Sequence, residues 1–181
     1  MSGLILSTLV PAASINNMSF AFPDYATVWN TMDGDLGAYV RKQIAAANLV
    51  AMDKMWDNGF RQTTTSTKPI VTPADFKGMK MRAPTRQTNK LLTALGASPV
   101  GMPLPAIPDA VSKGTIDGFL LPWEVMPSLK LQEMVKFHSE TDPSRPALYS
   151  AVFVFAMNQA KYYSLPADLK KVIYDNSGPA L

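Results

Sequence analysis

The chain has 181 residues, of which 47% are hydrophobic and 17% are charged, and its formal net charge is +3. This composition favours a globular protein of one large domain or parts of two, and it excludes a disordered chain. The absence of cysteine excludes disulfides, zinc–thiolate sites and thiol nucleophiles. The basic residues are scattered and form no run interleaved with aromatic residues, so we predict no nucleic-acid partner.

The sequence contains no segment with the length and apolarity of a transmembrane helix, so we predict no membrane insertion. The apolar opening, Leu4–Ala13, lacks a basic region before it and is interrupted by Pro11. A buried structural segment is therefore favoured there over a signal peptide.

The first third of the chain predicts helix followed by strand. Residues Tyr25–Val50 have apolar side chains near helical spacing, with glycines and aspartates between Met32 and Gly37. Leu49–Trp56 has the composition of a buried strand and ends in an Asp-Asn-Gly turn. Arg61–Thr67 is polar and β-branched, which is consistent with a strand that crosses between two lobes.

The middle of the chain alternates strands with helices, which predicts an α/β lobe around a largely parallel sheet. Thr72 followed by Pro73 marks a single helical turn, and Gly96 marks the end of a helix. In such sheets ligands bind beyond the carboxyl ends of the strands. Arg82 and Leu121 are both expected at such ends. The predicted elements are a strand at Met79–Arg82, a helix capped by Thr85 and running to Leu95, a strand at Ser98–Met102, a helix at Pro105–Lys113 and a strand at Ile116–Leu121.

The last third begins with a long β-rich run, Leu148–Met157, which is long enough to connect two lobes. Tyr149, Phe153 and Phe155 alternate along this run, so we expect them to face one side of a strand as core residues. Leu165–Tyr174 predicts a surface helix with a proline near its start.

Arg82 is the residue that says most about function. It lies in the stretch Lys77–Pro84, at the end of a predicted strand and just before a proline and an amphipathic helix. A guanidinium in that position would point into the cleft beyond the strand, and its planar fork of donors suits a carboxylate.

Together these segments resemble the substrate-binding proteins of TRAP (tripartite ATP-independent periplasmic) transporters, of the C4-dicarboxylate-binding type. Each matching segment is short, and the specificity comes from their order and spacing along almost the whole chain. The segments are Phe20–Tyr25, Trp56–Gln62, Phe76–Pro84, Leu95–Pro99, Gly114–Gly118 and Leu165–Leu169.

The resemblance implies an α/β, two-lobed periplasmic-binding-protein-like fold with crossing hinge strands, whose lobes close over an organic acid. It assigns residues 1–59 and 148–181 to a partial lobe I and residues 60–147 to a nearly complete lobe II that binds the carboxylate. It also implies that this chain is a central fragment of a longer protein. The implied location is the periplasm, the implied partners are a small organic acid and TRAP membrane permease subunits, and no cofactor is implied.

The same resemblance assigns binding roles to individual residues. Arg82 matches the arginine that clamps the carboxylate, and Arg61 matches a second arginine near the hinge, for which a structural salt bridge is almost as plausible. Thr85 matches a polar ligand contact, and capping of a helix is an equal alternative. Leu104 occupies a position where relatives place an aromatic ring over the ligand.

The chain departs from the family at Leu121, where many relatives have an asparagine before the proline. A leucine side chain offers no hydrogen bond, so hydroxyls or a second carboxylate placed against it would go unsatisfied. Phe119 and Trp123 lie beside it and would add apolar surface, although Trp123 is equally plausible as a packing residue. The expected ligand is therefore a monocarboxylate with an apolar or aromatic body.

Other functions find less support in the residues. His138 is the only histidine. The sequence contains no nucleophile motif that could work with it and no metal-ligand residues at a recognisable spacing from it. We therefore expect His138 in a loop or on the surface. We therefore predict no enzyme activity and no metal site. The alternatives are an α/β hydrolase or isomerase acting on a small acid, and a truncated chain without function.

Overall fold

The computed structural model describes residues 1–142 and 144–177. Its helices and strands alternate along most of the chain. In chain order they are α1 (Gly3–Leu6), α2 (Tyr25–Asp33), α3 (Asp35–Ala46), β1 (Leu49–Asp57), β2 (Gln62–Thr65), β3 (Lys80–Ala83), α4 (Arg86–Ala94), β4 (Ser98–Gly101), α5 (Ile107–Ser112), β5 (Gly118–Leu121), α6 (Val125–Ser128), β6 (Phe137–Ser139), β7 (Val152–Asn158), α7 (Gln159–Tyr163) and α8 (Ala167–Asp175). Short 3₁₀ helices span Pro11–Asn17, Pro73–Phe76, Leu104–Ala106 and Leu131–Glu133.

The chain forms two compact units. The first contains Met1–Asn58 and the chain from Tyr149 onward, and the second contains Gly59–Leu148. The lobes expected from the sequence, 1–59 with 148–181 and 60–147, have boundaries one residue away from these. Residues 178–181 of the expected lobe I lie outside the described residues.

The first unit packs helices against a two-stranded ribbon. Strands β1 and β7 are antiparallel, from Leu49 opposite Asn158 to Asp57 opposite Val152, with an irregularity between Ala51 and Met55. Helices α2 and α3 pack on β1 and on each other. Their apolar side chains recur at helical spacing and form the core of this unit; Val28, Met32, Val40 and Ile44 are all buried.

The predicted helix over Tyr25–Val50 is observed as two helices and the start of β1. The chain breaks at Gly34, which separates α2 from α3. Gly37 lies one turn further on, and a Cβ atom at this residue would collide with the carbonyl oxygen of Met32. The glycine therefore permits the close packing of α2 against α3.

The second unit contains a five-stranded mixed sheet in the order β4-β3-β5-β2-β6. Strand β3 is parallel to β4 and β5, whereas β2 is antiparallel to β5 and β6. The prediction of parallel strands is right for β3, β4 and β5. It is wrong for β2, which runs antiparallel to both of its neighbours, β5 and β6.

Local capping signals in this unit agree with the structure. The hydroxyl of Thr85 accepts a hydrogen bond from the backbone N–H of Thr88, 3.3 Å away, at the start of α4. Gly96, just after α4, has a φ of 78°, as expected for a glycine that ends a helix. Asp75 accepts hydrogen bonds from the backbone N–H groups of Val71 and Thr72 at 3.0 and 2.7 Å, which holds the single helical turn that begins at Pro73.

The core of the second unit lies between β5 and the helical segments α5 and α6. Phe119 of β5 is fully buried there and is the largest side chain of the cluster. All four residues of β5 are buried. This strand therefore lies in the middle of the unit, with β3 and β2 as its neighbours on either side. The cluster consists of Ile107, Ala110, Val111, Ile116, Phe119, Leu121, Met126 and Leu131.

Candidate functional site

Five strands of the second unit present their ends at one side of the sheet, which we call the carboxyl edge. The parallel strands β3, β4 and β5 end there, β2 begins there with Gln62 opposite Leu121, and β6 ends there. The side chain of Gln62 accepts a hydrogen bond from the N–H of Thr141, 3.1 Å away, which ties two of these segments together. The carboxyl edge is defined by Arg61–Gln62, Pro84–Thr85, Met102, Pro122–Trp123 and Glu140–Thr141.

Arg82 is a buried arginine that reaches towards this edge. It lies on β3 opposite Val100 of β4, and only 7% of its surface is exposed. Its Nε donates a hydrogen bond to the carbonyl oxygen of Met102, 3.2 Å away. Because Met102 follows β4 directly, this bond directs the guanidinium group to the carboxyl edge, where the sequence predicted a carboxylate ligand.

Arg61 is a second buried arginine at the same edge, with 4% of its surface exposed. Its Nη1 donates to the carbonyl oxygen of Gly59, 3.1 Å away. Gly59 has a φ of 68°, and a Cβ atom on it would lie 2.9 Å from the Cβ of Pro122 and 3.4 Å from a carboxylate oxygen of Glu124. Arg61 thus lies in a tight turn beside β5, and the alternatives of a structural pairing and a ligand contact both fit this position.

Thr85 and Leu104 both have structural partners at the carboxyl edge. The hydroxyl of Thr85 lies 3.1 Å from the hydroxyl of Thr88 and caps α4, while part of the side chain remains accessible. Leu104 is half-buried and packs against the core cluster of the second unit. The capping role of Thr85 is therefore observed, and the ligand contacts of both residues stay predictions.

Phe119 and Leu121 lie on the same face of β5, inside the hydrophobic core. Phe119 has no exposed surface and Leu121 has 4%. The ring of Phe119 packs fully among core side chains, and its contact with a ligand stays a prediction. Leu121 ends β5 at the carboxyl edge and has no side-chain hydrogen-bonding group; its contact with a ligand stays a prediction.

Trp123 is the exposed aromatic residue of the carboxyl edge, with 52% of its surface accessible. Its indole lies against the imidazole of His138, with ring centroids 3.5 Å apart and an angle of 36° between the planes. Its Nε1 donates to the Oε1 atom of Glu140, 3.1 Å away. Packing and ligand contact were equal alternatives in the sequence, and the structure shows a ring that is held in place and still accessible.

His138 is a residue whose position the sequence did not reveal. It lies half-buried in β6, opposite Thr64 of β2, and its Nδ1 is 2.6 Å from the Thr64 hydroxyl. The expectation of a loop or surface histidine is wrong, because β6 has only three residues and therefore no periodic pattern. Burial lowers the pKa of His138 from its ordinary value of 6.5, and the negative charge of Glu140 partly opposes this effect.

Residues 1–142 and 144–177 contain no group of three or more histidine, aspartate or glutamate side chains placed to hold a metal ion. None of the helices in this part of the chain combines the length and apolarity needed to cross a membrane.

The two compact α/β units and the order of the sequence motifs are those of a family of bacterial solute-binding proteins. Residues 1–180 match the family described as bacterial extracellular solute-binding protein, family 7, or DctP. The chain belongs to this family, which confirms the recognition made from the sequence.

Relatives of known function are similar over most of this chain. It is 30% identical to the 2,3-diketo-L-gulonate-binding periplasmic protein YiaO of Escherichia coli, over 95% of this chain and 51% of that protein. It is 31% identical to the C4-dicarboxylate-binding periplasmic protein DctP of Rhodobacter capsulatus, over 85% of this chain and 44% of that protein. The chain thus spans about half the length of these curated relatives.

Solved structures show the same fold. A TRAP solute-binding protein from Rhodoferax ferrireducens in complex with copurified benzoate is 46% identical, has a TM-score of 0.78, and is matched over 93% of this chain and 52% of its own. One from Sulfurospirillum deleyianum with bound succinate is 25% identical, with a TM-score of 0.87 over 97% and 55% of the two chains. These similarities confirm the predicted periplasmic-binding-protein-like α/β fold. The domain boundaries and the individual site residues stay predictions.

Proposed function

We propose that this protein is the extracytoplasmic solute-binding subunit of a TRAP transporter, which captures an organic acid and delivers it to membrane permease subunits. Membership of the solute-binding family supports this proposal, and the family consists of substrate-binding proteins of transporters rather than enzymes. Relatives described as periplasmic support a periplasmic location. The observation that carries the proposal is the burial of Arg82 at the carboxyl edge, with its guanidinium directed by the carbonyl of Met102.

In this proposal Arg82 binds the carboxylate of the acid. A guanidinium group can form two parallel hydrogen bonds to one carboxylate, which fixes the orientation of the ligand as well as its charge. Hydrogen bonds to charged groups contribute about 1.5–3 kcal/mol each. Arg61 adds positive potential at the same edge, and Thr85, which is only partly buried, supplies a polar contact next to it.

We further propose that the acid is a monocarboxylate with an apolar or aromatic body. Leu121 provides an apolar floor at the carboxyl edge, Leu104 adds aliphatic surface, and Trp123 offers an accessible indole. A hydroxyl or second carboxylate against these groups would lose hydrogen bonds to water without replacement. The Rhodoferax ferrireducens protein, 46% identical to this chain, contains copurified benzoate, and this neighbour supports an aromatic acid.

The proposal is tested by ligand-induced stabilisation of the complete gene product. A ligand that binds only the folded protein stabilises it by about 2.7 kcal/mol when present at 100 times its dissociation constant. We expect benzoate to raise the melting temperature, and succinate and galacturonate to raise it less or not at all. Stabilisation by succinate alone would retain the TRAP assignment and contradict the apolar ligand.

Arg82→Ala and Arg86→Ala form a matched pair of variants for the same experiment. Both remove one arginine, but Arg82 is buried at the carboxyl edge whereas Arg86 is exposed at the start of α4. We expect benzoate to stabilise Arg86→Ala normally and Arg82→Ala not at all. If Arg82→Ala were stabilised to the same extent as the unsubstituted protein, Arg82 would not be the carboxylate-binding residue.

A further inference from the structure

The indole of Trp123 is held from two directions by residues of one short strand and its continuation. His138 in β6 lies against its ring, and Glu140, two residues further on, accepts the hydrogen bond from its Nε1. Both contacts come from the segment that follows α6, whereas Trp123 itself follows β5. The indole orientation therefore depends on β6 as much as on the segment that carries it.

His138 is in turn fixed by the middle of the sheet. Its Nδ1 is 2.6 Å from the hydroxyl of Thr64 on β2, a residue with no exposed surface. Its Nε2 is buried and has no hydrogen-bond partner among residues 1–142 and 144–177. The imidazole thus contacts the sheet through one nitrogen, and its ring lies against the indole of Trp123.

The position of this ring pair suits a ligand bound at Arg82. Trp123 directly follows Pro122 after β5, and β5 is the neighbour of β3, which carries Arg82. Adjacent strands lie about 4.8 Å apart. An aromatic acid whose carboxylate is bound at the end of β3 would therefore have its ring near the end of β5. More than half of the surface of Trp123 is accessible there.

We propose that His138 is a positioning residue for ligand binding: together with Glu140 it fixes the indole of Trp123 as a platform on which the apolar body of the acid stacks. This inference rests on the proposed function, since it requires an acid anchored at Arg82. A ring that is oriented before the ligand arrives loses less conformational freedom on binding. The ring of the acid then gains an aromatic contact that a ringless acid does not make.

A double-mutant cycle between His138 and Trp123 tests this role in the complete gene product. Aromatic pairs contribute about 0.5–1.5 kcal/mol beyond burial, which corresponds to about a 2- to 12-fold change in affinity. We expect His138→Ala to weaken benzoate binding about fivefold and propionate binding less than about twofold. In a Trp123→Ala background, His138→Ala should have no further effect on benzoate, because the side chain through which it acts is gone.

A conservative variant and a spectroscopic signal separate positioning from a general structural role. His138→Phe keeps a ring against the indole, so it should recover most of the benzoate affinity that His138→Ala loses. With every tryptophan except Trp123 replaced by phenylalanine, the near-ultraviolet circular dichroism of Trp123 should fall in His138→Ala and remain in His138→Phe. Lys136→Ala, an exposed change next to β6, is the control and should alter neither measurement.

The outcomes distinguish this inference from the function on which it rests. If the unsubstituted protein binds none of the acids, both are wrong. If benzoate binds and depends on Arg82, but His138→Ala weakens benzoate and propionate equally, or acts unchanged in the Trp123→Ala background, then only the positioning role is wrong.

Discussion

The Nε of Arg82 donates a hydrogen bond to the carbonyl oxygen of Met102, 3.2 Å away, and so joins the end of β3 to the segment that follows β4. The acceptor is a backbone atom, which means that the orientation of the guanidinium does not depend on the side chain of Met102. The bond does depend on the Nε–H group of the guanidinium, which lysine lacks.

Arg82→Lys therefore tests geometry at constant charge. The ammonium of lysine keeps the positive charge but has neither the Nε–H group nor the planar fork that binds both oxygens of a carboxylate. Loss of one charge-assisted hydrogen bond, about 1.5–3 kcal/mol, corresponds to roughly 10- to 100-fold weaker binding. Isothermal titration with benzoate measures this change. Met102→Leu retains the backbone carbonyl, so its affinity for benzoate should stay within about twofold of that of the unsubstituted protein. If Arg82→Lys bound benzoate as tightly as the unsubstituted protein, positive charge alone would be sufficient.

The role of Phe119 is decided by comparing stability with binding. Its ring is fully buried in the core of the second unit, so Phe119→Ala should lower the free energy of unfolding by about 3–5 kcal/mol. Urea denaturation measures this loss. The expectation that Phe155 is a core residue is wrong, because β7 buries Val152 and Val154 and leaves 47% of the surface of Phe155 exposed in the first unit. Phe155→Ala removes the same ring from this exposed position and should cost far less. A Phe119→Ala protein of normal stability that no longer binds benzoate would show that Phe119 contacts the ligand.

The case of Phe119 also shows what the sequence could predict. The alternation of strands and helices from Met79 to Leu121 was predictable because Thr85 and Gly96 mark the helix ends through local chemistry. The direction of individual side chains on β5 was not predictable. All four residues of this strand are buried, so the alternation of polar and apolar residues that normally distinguishes the two faces is absent.

The contacts of Trp123 were beyond prediction for a different reason. Thr64, Trp123 and His138 belong to three separate segments and meet only because β2 lies between β5 and β6. The sequence predicted no strand at Phe137–Ser139, so the pairing of β6 with β2 that brings His138 to Thr64 could not be foreseen. The prediction that Arg82 binds the carboxylate, in contrast, rests on the residues around it, which are contiguous in the chain.

Packing in the first unit predicts a large effect at a small residue. A Cβ atom on Gly37 would collide with the carbonyl oxygen of Met32 and lie 3.0 Å from its Cα. Because these are backbone atoms, α2 and α3 would have to move apart. Overpacking usually costs about 1–3 kcal/mol, and we expect Gly37→Ala to lose about 2 kcal/mol or more in urea denaturation. Ala38→Ser changes the exposed neighbour and should stay within about 0.5 kcal/mol; equal stability of the two variants would contradict this packing.

The pKa of His138 predicts how the stability of the protein changes with pH. Burial lowers this pKa below 6.5 in the folded protein, while the charge of Glu140 partly opposes the shift, and the facing side chain on β2, Thr64, does not titrate. Between the two pKa values the unfolded chain binds more protons than the folded one, so stability falls as the pH falls. The contribution of neutral His138 is complete above about pH 6.5 and is lost as the pH drops from there through the lower pKa of the folded state.

Urea denaturation at pH 8 and at pH 5 measures this dependence, with His138→Gln as the comparison. The unsubstituted protein should lose more stability between the two pH values than His138→Gln does, because glutamine does not titrate. The carboxyl groups of Asp24, Asp75 and Asp142 accept backbone hydrogen bonds that lower their pKa values below 3.8, so their contributions are lost at more acidic pH than this range. An identical loss of stability in the two proteins would mean that the imidazole is as accessible to protons in the folded state as in the unfolded chain.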